Sequence, residues 1–452
     1  MKPKNEMAES PIKDLLRKYF WPAFVSVFVN ALYNIVDRIF IGQGVGAEAL
    51  SGLSVVFPIM MIISAFGMMI GQGAGARVSI NMGEGNLKRA EWVLGNALLL
   101  GCFVSILVTG IGFAIKTPLL NSFGATENTL VYAQDYLNII LFGAIFQNVG
   151  FSLNNIIRSQ GNARIAMSSM IVSAGTNIIL DPIFIFGLNM GVKGAAWATI
   201  ISNIVLCIYV IHHYLKSEHA IVKFKTHSFK LNKQIITSIL SIGMAPFALQ
   251  IGSSFVQAAA NFQLISYGGD LAIGAMGIIN SIVLLVILTI FAVSMASQPI
   301  VGFNFGARDF SRVKETLRLS IIAATVISIV SWIVIHIFPN QFVQLFNTDS
   351  DELLQIGTRG LNIYTMCMPV IGFQIITSQY FQATSKAKIS IFLTLLRQVI
   401  VMMPFLFILP NFFGLDGVWM VGPVSDTLSA LFTSIFLVKE WKKLNLLIEN
   451  VG

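Results

Sequence analysis

Residues 31–46 read ALYNIVDRIFIGQGVG, an apolar run in which the single acid is Asp37. Together with the apolar residues from 20 onward, this stretch matches the ~20 residues that carry a helix across a ~30 Å hydrocarbon core. An ionised carboxylate at such depth is costly, so a membrane protein that keeps one pairs it, protonates it or binds a cation with it. Asp37 is therefore the first functional candidate, and the helix that carries it is the first element of a membrane-embedded fold.

The rest of the chain repeats that pattern. Of its 452 residues, 55% are hydrophobic and 11% charged, with a mean hydropathy of +0.78, outside the range of soluble globular proteins of this size. About twelve apolar runs follow one another, at 20–41, 52–75, 92–115, 130–156, 165–188, 192–214, 236–266, 272–300, 316–338, 355–382, 388–410 and 415–438. The expected fold is an all-α polytopic membrane protein of twelve transmembrane helices. The N-terminus is too polar before Leu15 for a cleaved signal peptide, so the first run is expected to insert directly into the plasma membrane. Cys102, Cys207 and Cys367 are far apart, each in an apolar run, and read as small core residues.

Charge reports topology. Of 29 Lys and Arg, 24 fall on one side of the twelve-span map, from Lys2, Lys4, Lys13, Arg17 and Lys18 to Lys439, Lys442 and Lys443. The other side holds Lys116, Lys193 and Arg359, and Arg38 and Arg397 lie in or beside spans. The positive-inside rule then puts both termini in the cytoplasm. The net charge of +8 needs no nucleic acid as partner; the bilayer accounts for it. The basic stretch Lys216 to Lys233 reads as a cytoplasmic linker in contact with anionic lipid.

An internal repeat organises the whole. Asn81-Met82-Gly83 recurs as Asn304-Phe305-Gly306, and Gly191-Val192-Lys193-Gly194 as Gly414-Leu415-Asp416-Gly417, both at an offset of 223. Pro22-Ala23-Phe24 lies 224 before Pro246-Phe247-Ala248, and Ala163 lies 224 before Ala387. The expected organisation is an N-terminal six-helix lobe at 1–215, a basic linker at 216–235 and a C-terminal six-helix lobe at 236–452. Six is even, so both lobes insert the same way round, as parallel repeats suited to alternating access.

The stretches ALYNIVDRIFIGQGVGAEALSGLSVVFP, GQGAGARVSINMGEGNLKRAE, NNIIRSQGNARIAM, TNIILDPIFIFGLNMGVKGAAWAT and SQPIVGFNFGA resemble the multidrug and toxic compound extrusion (MATE) family, nearest its bacterial MepA-like and DinF-like branch. The resemblance runs in order over nearly the whole chain. It implies a two-lobed antiporter that expels organic, often cationic and amphipathic compounds in exchange for Na+ or H+, with no other cofactor, and a monomer is expected.

Depth counting supplies an independent reading of the site. Asp37, Asp181 and Thr199 lie about 4, 7 and 7 residues from the outer ends of their spans, roughly 6 to 10 Å deep at 1.5 Å per residue. Asn177 is one turn from Asp181, on the same face. These four offer the oxygens with which a hard cation replaces its hydration shell. They equally suit two acids sharing a proton, because neighbouring carboxylates in low dielectric cannot both ionise cheaply. The sequence does not choose between Na+ and H+. In the related family the four matching positions form a proposed cation or proton site. Asp37 could instead pair with Arg38, but adjacent helix residues diverge by about 100°.

The repeat places Asn261 where a second Asp37 would stand and Pro404 where a second Asp181 would, so coupling chemistry is expected in the N-terminal lobe. Asp426 and Arg397 remain as a possible second charged site or a structural pair. Pro22 and Pro182 are candidate bending points or tolerated kinks; the family resemblance favours Pro22. Substrate-cavity candidates are Asn30, Tyr33, Asn34 and Asn154 on one side and Gln250, Gln257, Asn261, Met276 and Asn280 on the other. The glycine-rich run Gly71-Gln72-Gly73-Ala74-Gly75 lacks the Lys and Ser/Thr of a phosphate loop and reads as a close helix contact. With no ATP-binding motif, the expectation is a transporter driven by an ion gradient and no enzyme; a flippase for a lipid-linked substrate and a non-transporting membrane sensor are the alternatives.

Overall fold

The computed structural model describes residues 6–218, 220–346 and 350–449. Lys2 and Lys4 of the charge map lie outside the described residues. Among the described residues the fold is helical, with no strand. Ten helices are long and apolar enough to cross a membrane, eleven when a bent pair is taken as one span. One of the ten, Lys233–Gly306, is 74 residues long, over three times what a bilayer requires. It breaks at Gly269, whose φ of 63° and ψ of −158° are not helical. Counted as two spans, it brings the total among the described residues to twelve.

We label these spans in chain order. The first six are α1 (Ile12–Gly44), α2 (Ala47–Gly83), α3 (Leu87–Ser122), α4 (Glu127–Ser159), α5 (Ala163–Gly187) and α6 (Gly191–Lys216). The second six are α7 (233–268), α8 (270–306), α9 (Phe310–Ile337), α10 (Asp351–Tyr364 with Met368–Ala383), α11 (Ala387–Phe413) and α12 (Leu415–Glu449). The apolar run expected at 355–382 lies within α10, which bends by 45° at 365–367, next to Pro369. Large apolar side chains stand outward on these helices, such as Phe103 and Ile106 on α3 at 65% and 66% exposure, a surface suited to lipid and not to water.

The repeat is written into the backbone. Residues with left-handed φ recur in pairs: Gly46 with Gly269, Gly85 with Arg308, Gly161 with Ser385, and Gly191 with Gly414. Each pair ends corresponding helices at an offset of 223 or 224. Caps recur as well. Asn86 Oδ1 accepts from the Arg89 amide at 3.0 Å, and Asp309 Oδ1 from the Arg312 amide at 3.1 Å.

Two compact units result. The N-terminal unit is Trp21–Phe247; the C-terminal unit joins the described residues up to Phe20 with those from Ala248 onward. In the N-terminal unit the glycine run of α2 is a packing seam. A Cβ at Gly73 would stand 2.1 Å from the Ile239 carbonyl oxygen, and one at Gly71 or Gly75 would meet α4 at Ser152 or Ser159. A second core in that unit gathers Ile41, Val56, Leu120, Tyr136, Leu141 and Ile185. The C-terminal unit closes around Trp419, Leu361, Phe381 and Val421.

Candidate functional site

Four helices of the N-terminal unit converge on the acids. Asp37 on α1 is 8% exposed, and Asn177 and Asp181 on α5 are fully buried. Asn177 Nδ2 donates to Asp181 Oδ1 at 3.3 Å, as residues one turn apart on a face allow. The charge on Asp37 reaches Asp181, so the two acids share one electrostatic environment. Thr199 on α6 is 8% exposed and hydrogen-bonded to the Tyr136 hydroxyl from α4. Tyr136 is itself within electrostatic reach of Asp37, Asp181 and Tyr33. Asp37, Asn177, Asp181 and Thr199 are thus brought together, with Tyr136 as a fifth member.

The group holds unspent acceptors. Asp37 Oδ1, Asn177 Oδ1 and Asp181 Oδ2 are buried without a hydrogen-bond partner. Arg38 does not fill that need with an ion pair, since its guanidinium lies 4.6 Å from the centroid of the Phe57 ring. Among the described residues no Lys or Arg forms a salt bridge with either acid. A buried carboxylate oxygen left bare costs free energy, a cost that a cation or a proton placed beside it would offset.

Beside the acids runs a narrow cleft of mixed character lined by Asn30, Tyr33, Phe151, Met170, Ser173, Ala174, Asn177, Ser202, Asn203 and Leu206. Asn30 and Tyr33, two of the substrate-cavity candidates, line this cleft. Asn34 sits one turn on, its Nδ2 donating to the Asn30 carbonyl at 2.7 Å. Asn154 is spent elsewhere: it donates to the Ala166 carbonyl at 2.9 Å and the Ser169 hydroxyl at 2.7 Å, and accepts from Arg158 at 3.0 Å. It joins α4 to α5 and does not line this cleft. Ser173, Ser202 and Asn203 do line it and were not singled out from the sequence.

The prolines differ in surroundings. α1 continues through Pro22, whose carbonyl accepts from the Ser26 hydroxyl at 2.7 Å. After Pro182 the helix widens into a five-residue π turn, Ile183–Gly187, and Leu188 N donates to the Ile183 carbonyl at 2.9 Å.

In the C-terminal unit the remaining candidates separate. Gln257 Nε2 donates to Asn261 Oδ1 at 3.1 Å along α7. Gln250 and Asn280 are half-buried, whereas Met276 is buried in the apolar core. Asp426 and Arg397 form an ion pair, Nε to Oδ1 at 2.5 Å, with Asp426 only 1% exposed.

The MatE family model matches the chain twice, at residues 22–183 and 246–408, which is the duplication seen in the backbone. The chain is 28% identical over 423 residues to the multidrug export protein MepA of Staphylococcus aureus strain MSSA476, covering 94% of this chain and 93% of that protein. It is also 28% identical over 430 residues to MepA of Staphylococcus haemolyticus strain JCSC1435, covering 95% and 94%. Among solved structures, a MOP superfamily transporter from Pyrococcus furiosus superposes with a TM-score of 0.92 at 24% identity over 98% of this chain and 99% of its own. A MATE structure described as the straight conformation gives 0.91 at 24% identity over 99% and 100%. The chain therefore belongs to the MatE family of multi-pass membrane transporters, the multidrug and toxic compound extrusion family, and is not an enzyme.

Proposed function

We propose that this transporter is a secondary active efflux antiporter, exporting organic and often cationic, amphipathic compounds in exchange for Na+ or H+ across the plasma membrane, with both termini cytoplasmic. The observation that carries the proposal is the set of three unpartnered buried oxygens on Asp37, Asn177 and Asp181. An antiporter needs a site that is unsatisfied without its coupling ion and satisfied with it. Asp37 and Asp181 supply the charge, Asn177 and Thr199 supply neutral oxygens, and Tyr136 holds the Thr199 hydroxyl. Binding of Na+ or a proton there lowers the cost of the buried charge and alters the packing of α1 against α5 and α6, which is the differential affinity that alternating access requires.

The adjoining cleft has room for little more than a water molecule, so Asn30, Tyr33 and Asn203, beside Phe151 and Met170, are proposed as part of the wall of a substrate path and not as a formed substrate pocket. Aromatic and thioether surface of this kind suits varied organic cations. The cleft lining contains no Lys or Arg, which a flippase holding a pyrophosphate would need. MepA, named as a multidrug export protein, supports the same reading for this chain.

Proteoliposomes loaded with an organic cation, with Na+ and pH gradients imposed separately, test it. Efflux is expected to follow one of the gradients, and Asp37→Asn and Asp181→Asn are expected to reduce it to background while the protein still inserts and folds. Gradient-independent retention of the cation, or undiminished efflux by either variant at matched expression, would sink the proposal.

A further inference from the structure

The two units share a backbone register, and among the places where their side chains differ is the pair of helices α5 and α6 against α11 and α12. In the N-terminal unit the Ser173 hydroxyl donates to the Ser202 carbonyl at 2.9 Å, joining α5 to α6. In the C-terminal unit the Ser425 hydroxyl donates to the Arg397 carbonyl at 2.6 Å, joining α11 to α12. Ser173 and Arg397 are 224 apart, and Ser202 and Ser425 are 223 apart, the offsets that relate α5 to α11 and α6 to α12 elsewhere. The neighbouring helix pairing agrees: Asn154 reaches the Ala166 carbonyl, and Ser378 reaches the Ser390 carbonyl at 3.4 Å.

On that register Arg397 stands at the Ser173 position and Asp426 at the Asn203 position. Ser173 and Asn203 are both walls of the cleft in the N-terminal unit. Where the N-terminal unit leaves space between two small polar side chains, the C-terminal unit carries a guanidinium on a carboxylate, 2.5 Å apart and almost wholly out of solvent. Gln374 backs this pair by donating to the Asp426 carbonyl at 2.5 Å, and Gln374 Oε1 and Ser429 Oγ are buried without partners. Tyr364 lies within electrostatic reach of both charges. Arg397 is the second residue of a run, Leu396–Met402, in which α11 widens to π geometry, so the backbone that carries the guanidinium departs from the regular helix.

We propose that Arg397 is a tethered cation. Its guanidinium fills, in the C-terminal unit, the place that the N-terminal unit keeps open as the cleft, and its removal exposes a site for a small guanidinium-class cation with Asp426 as counter-charge. This stands on the register and the pair alone and does not depend on which ion, if any, couples at Asp37 and Asp181. It also explains why the C-terminal unit can hold a buried acid and yet offer no free one: the carboxylate is occupied by a cation that cannot leave.

The test uses the purified full chain in detergent and millimolar ethylguanidinium chloride, against sodium chloride at equal ionic strength. Arg397→Ala is expected to melt below the parent, because breaking a buried pair leaves one charge bare. Ethylguanidinium, and not sodium, is expected to restore part of that loss, as a ligand enters a cavity cut to its shape. The parent and the Arg397→Ala, Asp426→Asn double variant are expected not to respond. A response of Arg397→Ala no larger than the parent's, or an equal response by the double variant, overturns the proposal. Should Arg397→Ala fail to fold, the reverse graft decides: Ser173→Arg with Asn203→Asp is expected to melt above Ser173→Arg alone, since the register puts the two side chains in pairing distance. No gain from the second substitution overturns the proposal equally.

Discussion

At the scale of single residues, the acids and their neighbours were legible because depth in a membrane helix can be counted. Asp37, Asp181 and Thr199 fall at similar distances from one end of their spans, and the structure brings them together with Asn177. Tyr136 was missed although the same count reaches it, about nine residues into α4 from its Glu127 end. A tyrosine in an apolar run does not stand out as an acid does, and its importance comes from the partner it meets. Asn154 shows the converse, a polar residue in a span whose amide is consumed by helix packing. The Tyr136 hydroxyl and Thr199 form a buried hydrogen bond, for which removal of one partner costs about 1 to 3 kcal/mol and removal of both costs less. Tyr136→Phe is accordingly expected to lower stability by that amount, and Tyr136→Phe with Thr199→Val by less than the sum of the single changes. Thermal unfolding of the four proteins in one detergent measures the cycle, and strict additivity would show that the two side chains do not interact.

At the scale of helices, hydropathy gave the number of spans and the repeat gave their pairing, but neither gave the bends. The sequence reading ended its seventh run at 266 and began its eighth at 272; the structure needs only Gly269 to turn the chain. Gly269 and its counterpart Gly46, at φ 63° and 110°, occupy backbone regions that a side chain disfavours. Nothing lies within 4 Å of a Cβ built on either, so backbone strain and not crowding sets the cost of substitution. Gly269→Ala is expected to destabilise the protein by about 1 to 3 kcal/mol. Gly277→Ala, in mid-helix on α8 with equally open space, is expected to lie within about 1 kcal/mol of the parent. Equal melting temperatures for the two variants would refute the strain argument. The bend of α10 was foreshadowed by Pro369, which has no amide hydrogen to continue a helix. The π turn of α5 follows directly on Pro182, a bending candidate in the sequence, whereas that of α11, Leu396–Met402, has no proline within it.

At the scale of the whole molecule, the repeat lays out two six-span halves, whereas packing assigns the ends of α1 and α7 across that division. The chain passes from the C-terminal unit to the N-terminal unit between Phe20 and Trp21, and back between Phe247 and Ala248, close to Pro22 and Pro246. Sequence periodicity could not show this, since it records which segments are alike and not which segments touch. The entering segment is firmly held. Met7, Ile12 and Leu15 are buried at 2%, 1% and 1% exposure. Arg312 on α9 donates from Nη2 to the Met7 and Ser10 carbonyls at 3.0 and 2.6 Å and from Nε to Asn304 Oδ1 at 3.1 Å. In the other unit Asn96 plays the corresponding part for the linker, donating to the Lys230 carbonyl at 3.0 Å and accepting from the Asn232 amide at 2.8 Å. Arg312→Ala removes three charge-assisted hydrogen bonds of the kind worth about 1.5 to 3 kcal/mol each, and so is expected to release the segment before α1 without unfolding either unit. Hydrogen exchange read by mass spectrometry should then lose protection at residues 6–15 and at the start of α9, while α2 to α6 and the linker held by Asn96 keep theirs. Loss of protection at 222–232 instead, or no change at 6–15, would show that the first helix is not anchored through Arg312.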